Sequence, residues 1–157
     1  MLASDFYLAG SYRSQSIRCI REIALSYIQS KDWMNAAIFL EKAADLWLQD
    51  KGGMHSGAMV LKAATLLLGA EICLLMSRDP VAASKVSQKI SRINYGKAPN
   101  SFDNCKAEED CGKELVEAYG SRDETLFANI LVRYDKLLED WEFDCIKILK
   151  SEVGEIN

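Results

Sequence analysis

The residues of this chain best suited to chemistry are five cysteines, one histidine and a run of three carboxylates. A cysteine nucleophile needs a base beside it, most often histidine. A structural zinc needs four sulfur or nitrogen ligands at short spacing. Cys19, Cys73, Cys105, Cys111 and Cys145 are scattered, and no C-x-x-C is present. Cys105 and Cys111 lie six residues apart, the wrong interval for one face of a helix. His55 stands alone after the Gly52-Gly53 turn and reads as a surface or helix-start residue. The contiguous carboxylates Glu108, Glu109 and Asp110 lack the alternation of a cation-binding loop and read as a solvated helix face. No P-loop, G-x-G-x-x-G or G-x-S-x-G occurs. The expectation is no catalytic constellation, no metal and no cofactor. An odd number of dispersed cysteines fits reduced, packed thiols in a cytosolic protein. No signal-peptide succession opens the chain.

Charge is more informative. Residues 1–102 carry twelve Lys and Arg against eight Asp and Glu, net +4, whereas residues 103–157 carry seven against fifteen, net −8. Solvated helix faces account for such a split. A bridge between an acidic and a basic partner accounts for it too. Arg13, Arg18 and Arg21 cluster near the start. With a net charge of −4 and no basic stripe interleaved with aromatics, nucleic acid is not an expected partner.

The elements that must position these groups are helices. Two prolines and nine glycines in 157 residues leave long uninterrupted segments rich in Leu, Ala, Ile, Lys and Glu, and alternating strand patterns are absent. From Ile20 to Trp47, the residues Ala24, Tyr27, Ala36, Leu40 and Ala43 have the spacing of a tetratricopeptide-type helical hairpin reversing at Asp32-Trp33. Small residues let the two axes approach, and Tyr27 and Leu40 fill the space beside them. Such a unit cannot bury its apolar face alone, so it stacks on neighbours and forms a binding surface.

About seven helices are expected. A first short one is broken at Gly10. The next is capped by Ser14 or Ser16, with Ile17, Ile20, Ile23, Ala24 and Tyr27 inward. Asp32 caps the third, and Gly52-Gly53 ends that unit. Met59 to Met76 is apolar except for Lys62, Thr65, Gly69 and Glu71, and reads as a helix sandwiched between neighbours, because a spanning helix with those charges would be costly. Asp79-Pro80 restarts the chain with Ala82, Ala83, Val86 and Ile90 inward. Ala70, Cys73, Ala82 and Val86 repeat the relation of Ala24, Tyr27, Ala36 and Leu40 at an offset of 46 residues. Asn94–Asn100 is a loop. A helix from Ser101 or Asp103 ends at Gly120, Asp123 caps the next, and Asp140 caps the last. The fold expected is all-α: a right-handed solenoid of antiparallel helical hairpins over residues 1–94, closed by a C-terminal helical bundle over 101–157, in one domain.

In order and spacing, four segments resemble a known family. They are SDFYLAG…SQSIRCI (4–20), AEICLLMSRDPVAASKV (70–86), SFDNCK…ELVEAY (101–119) and LFANILVRYDKLLEDWEFDCIKILKSE (126–152). Together they resemble the C-terminal half of the soluble NSF attachment proteins, of the alpha/beta type, over essentially the whole chain. The resemblance implies a non-enzymatic adaptor that coats the SNARE complex and recruits and stimulates the NSF ATPase. It implies SNARE-facing roles for Arg18 and, two positions displaced, Lys62. It implies NSF-facing roles for Glu117, Glu155 and the near-terminal Ile156. The family's acidic pair after Glu117 is Gly120-Ser121 here, and two residues are missing between Tyr134 and Trp141. The first half of the family fold, with its membrane-touching loop, is not represented. Membrane association is therefore expected only through partners. A generic helical-repeat scaffold with decayed NSF contacts is the alternative. A thiol enzyme built on Cys105 or Cys111 lacks a base.

Overall fold

The computed structural model describes residues 3–49, 57–95 and 105–156. The expectations about Gly52-Gly53, His55, Ser101 and Asp103 fall outside them. Among the described residues there are seven helices and no strand: α1 (Ala3–Gln29), α2 (Trp33–Leu48), α3 (Gly57–Met76), α4 (Pro80–Tyr95), α5 (Lys106–Ser121), α6 (Glu124–Arg133) and α7 (Asp140–Ile156). Helices α1 to α4 pack in sequence, each on the next. α5 packs on α3 and α4, α6 on α5, and α7 on both α6 and α3. The result is an all-α, tetratricopeptide-like stack.

Small residues set the spacing, as the pattern required. Ala24 on α1 and Ala36, Ala37, Ala43 and Ala44 on α2 are buried, with Leu40 beside them. The rings of Tyr27 and Phe39 stack at 5.5 Å between the two helices. α3 is the centre. Val60, Leu67, Leu68, Ile72 and Leu75 are fully enclosed, each contributing roughly 1.5–3 kcal/mol of burial. By length and composition Ala58–Met76 could cross a membrane, with a mean hydropathy of 1.9, but 72% of it is buried inside the protein. Its neighbours α2, α4, α5 and α7 supply the apolar surroundings.

Three turns share one construction. Ser30-Lys31-Asp32, Ser77-Arg78-Asp79 and Ser121-Arg122-Asp123 join α1 to α2, α3 to α4 and α5 to α6. The middle residue is left-handed each time, with φ of 60°, 65° and 52°. Each aspartate N–H donates back to a carbonyl five residues earlier: Tyr27 at 2.8 Å, Leu74 at 2.9 Å and Ala118 at 3.0 Å. Its carboxylate then accepts from the N–H three residues ahead: Asn35 at 3.3 Å, Ala82 at 3.0 Å and Leu126 at 3.0 Å. One residue thus closes a helix and opens the next.

Several sequence expectations are corrected. α1 runs unbroken through Gly10, since one helical glycine costs only about 1 kcal/mol. Ile23 is exposed, and Ile28 takes the inward place. The turns set the repeat offset at 47 rather than 46, pairing buried Ala36 with buried Ala83. α4 continues through Asn94 to Tyr95. α5 passes Gly120 and ends at left-handed Arg122, because the turn rather than the glycine stops it. Asp140 lies inside α7. The residue before it, Glu139, caps the helix, its N–H donating to Glu142 Oε1 at 3.0 Å.

Gly112 has a packing role. A Cβ there would lie 2.9 Å and 3.1 Å from the carboxylate oxygens of the fully buried Glu71. Gly112→Ala is expected to destabilise by about 1–3 kcal/mol, since the added methyl forces a fully buried carboxyl to shift. Gly120, with nothing within 4 Å, is the control, and Gly120→Ala should stabilise by about 0.5–1 kcal/mol. Urea midpoints of the two variants check both signs.

Candidate partner-binding groove and acidic end

An open groove of about 460 Å³ lies between α1, α2, α3 and the start of α7. α1 contributes Ser14, Arg18, Arg21 and Leu25, whose intervals of three and four place them on one stripe. α3 contributes Leu61, Lys62, Thr65, Leu66 and Gly69, and α2 contributes Leu40 and Trp47. Trp141 comes from α7 and lies against Gly69, where a Cβ would meet its ring at 3.3 Å. The floor is therefore apolar and the rim cationic.

The three early arginines have separate fates. Arg13 donates from Nε to the Leu46 carbonyl at 2.8 Å and from Nη2 to that of Trp47 at 3.1 Å, capping the end of α2. Arg21 pairs with Glu139 at 3.1 Å, and Trp141 Nε1 donates to the same carboxylate at 2.8 Å, tying α1 to α7. Arg18 stays exposed, with a loose contact to Glu22 at 3.7 Å. The Lys62 ammonium stands 4.6 Å from the centre of the Trp47 ring. The structure thus brings Arg18 and Lys62 to one groove.

Glu117 and Glu155 are exposed on different helices, α5 and α7. Ile156 is the last residue of α7, and its side chain lies outside the described residues. Near this end a shallow dent is lined by Arg78, Tyr119, Arg122, Leu149, Glu152 and Val153. Arg78 reaches Glu152 at 3.8 Å, so a cation from the basic part of the chain sits within the acidic part.

Of the groove residues, the sequence expectation gave only Arg18 and Lys62 a partner-facing role; Gly69, Trp141, Glu139 and Glu142 are among those it missed. A signal existed for one of them. Lys62, Thr65 and Gly69 interrupt the apolar α3 at intervals of three and four, marking one face. The fourth interruption, Glu71, lies in the core beside Ser87, which faces it without closing a hydrogen bond of normal geometry. Burial raises its carboxyl well above the ordinary range, and Ser87 works the other way.

Cys73, Cys105, Cys111 and Cys145 are buried thiols. Burial pushes Cys105 up to about 11 and raises Cys111 as well, so neither is a thiolate at neutral pH. Glu108 and Glu109 are buried rather than on the solvated face expected for them, because α5 turns that side toward the core. Among the described residues no group of His, Cys, Asp and Glu could hold a metal.

Stacked helical hairpins with an open charged groove are the architecture of interaction scaffolds. Residues 1–153 match the soluble NSF attachment protein, SNAP, family, and the chain belongs to it. That membership makes it a SNARE- and NSF-related adaptor at the level of the family, one of non-enzymatic proteins that are peripheral to membranes. Neither a curated protein nor a solved structure matches the chain.

Glu142 is 2% exposed, and its carboxyl is pushed up to about 8, mainly by burial. The folded chain therefore holds a proton that the unfolded chain, near 4.5, releases. That stabilisation is complete at acid pH and is lost as pH rises to about 8. Glu142→Gln keeps the acceptor for the Glu139 N–H and removes the titration. Thermal melts should show the variant gaining on the parent by on the order of 1–3 kcal/mol between pH 5 and pH 8.

Proposed function

We propose that this chain is a cytoplasmic adaptor that lays its groove against the acidic helical bundle of a SNARE complex and presents its acidic end to an NSF-type ATPase. The reading rests on one observation above others: Arg18 and Lys62, from helices α1 and α3, border the same groove. Arg18 is exposed, and Lys62 is fixed over Trp47 rather than buried in a core ion pair. Each exposed ion pair with a partner contributes roughly 0.2–1 kcal/mol, so several acting together give weak, salt-sensitive attachment. That suits an adaptor that must be released and reused. Glu117 and Glu155 would meet basic groups of the ATPase, and Ile156 would complete that contact. Contact with membranes would come only through these partners.

A second reading keeps the scaffold and drops the ATPase. It is favoured by Gly120-Ser121, which supply no charge beside Glu117, and by the exposed Arg122 that follows them. Capture of NSF by the full chain separates the two readings.

Two measurements test the proposal. The double reversal Arg18→Glu, Lys62→Glu should weaken binding to assembled SNARE complex by roughly tenfold, with circular dichroism unchanged. Raising salt should weaken the parent more than the variant. Deleting Ile156 and Asn157 should abolish stimulation of NSF ATPase and leave helicity intact. Stimulation that survives the deletion would remove Ile156 from the contact.

A further inference from the structure

An acidic helix bundle needs cations on an accessible face; it does not need a pit with an apolar floor. The groove has one. Ile17, Leu40 and Leu66 are buried side chains at its wall, and the Trp141 indole lies on Gly69. Its volume of about 460 Å³ falls within the roughly 300–1,000 Å³ of small-molecule sites. Apolar floor and cationic rim are separated, so a matching ligand has a hydrocarbon body and an anionic end.

The charges around the groove give the sign of that end. Arg18, Arg21 and Lys62 border it, as do Glu139 and Glu142. Arg21 and Glu139 satisfy one another at 3.1 Å. Glu142 is buried, accepts from the Glu139 N–H with one oxygen, and leaves Oε2 without a partner. Burial keeps it protonated near neutral pH, so it does not cancel the cations. Arg18 and Lys62 remain. The Arg18 contact with Glu22 is loose and solvent-exposed, and a charge-assisted hydrogen bond to a ligand anion would exceed it. Lys62 is oriented by Trp47, whose ring also lines the groove.

We propose that this groove binds one free long-chain fatty acid, its hydrocarbon over Leu40, Leu66, Gly69 and Trp141 and its carboxylate at Arg18 and Lys62. The proposal stands on the groove alone and does not require the adaptor reading. Should that reading also hold, the two ligands would share Arg18 and Lys62, and the fatty acid would compete with the acidic bundle.

The test titrates the full chain with monomeric oleate, followed by calorimetry and by tryptophan fluorescence, since Trp47 and Trp141 both line the groove. Oleyl alcohol supplies the same tail without charge, and phosphatidylserine vesicles supply anionic headgroups on a surface. Oleate should bind saturably at one equivalent. Lys62→Glu should weaken oleate by about tenfold and leave oleyl alcohol within about twofold, because only the charged end is affected. Thr65→Trp, which fills the groove from α3, should abolish binding of both. Non-saturable uptake of oleate would overturn the proposal. So would an oleate-to-alcohol preference that Lys62→Glu leaves unchanged. Binding to vesicles without binding of monomeric oleate would overturn it as well, and would make the face a membrane surface. Lys62 is exposed, so its variant carries the test even if Thr65→Trp fails to fold. SNARE capture by the parent chain without oleate reports separately on the adaptor.

Discussion

The whole arrangement depends on enclosing α3. That helix is apolar over most of its circumference, and no single neighbour can cover it. α2 and α4 take two sides, and α5 and α7 take the others. The hairpins and the C-terminal helices are thereby joined through α3, with the α4–α5 contact beside it. The same helix presents its few polar and small positions, Lys62, Thr65 and Gly69, to the groove. Removing α3 from water and building the groove are one event.

Of the four glutamates buried among the described residues, the two most enclosed run against this apolar logic. Glu71 occupies the core over Gly112, and Glu142 lies at the wall of the groove. Burial raises the pKa of both. Kept protonated, they avoid most of the cost of a buried charge, although each still has oxygen without a hydrogen-bond partner. Glu142 recovers part of that cost by capping α7 through the Glu139 N–H. Glu139 in turn joins Arg21 and Trp141, so one short sequence, Glu139 to Glu142, starts a helix, ties α7 to α1 and closes one end of the groove.

Much of the fold was legible before any coordinates. Asp32, Asp79 and Asp123 announce helix starts, and small residues at Ala24, Ala36 and Ala43 announce close helix contact. Those signals act within a few residues, where backbone hydrogen bonding dominates. Where sequence and structure differ, the cause is shared. Gly10, Gly120 and Asp140 each carry a local preference that the fold overrides: by a continuous helix, by the Ser-Arg-Asp turn, and by the cap that Glu139 forms with Glu142. The repeated Ser-basic-Asp tripeptide was present in the sequence. Its meaning is carried by a left-handed φ at an ordinary residue, which composition alone does not reveal.

By itself the sequence determined an all-helical chain of stacked hairpins, its resemblance to the attachment proteins, and the lack of catalytic motifs. Periodicity and capping are properties of neighbours in the chain, so they survive without a fold. Only the tertiary structure decided which cations share a face. Arg13, Arg18 and Arg21 are equivalent by composition, yet one caps α2, one borders the groove and one pairs with a residue 118 positions away. Lys62 stands over Trp47, and Trp141 reaches Gly69, because α2, α3 and α7 converge in space. A binding groove is made of distances between helices, and those distances come from packing around α3 rather than from any local run of residues.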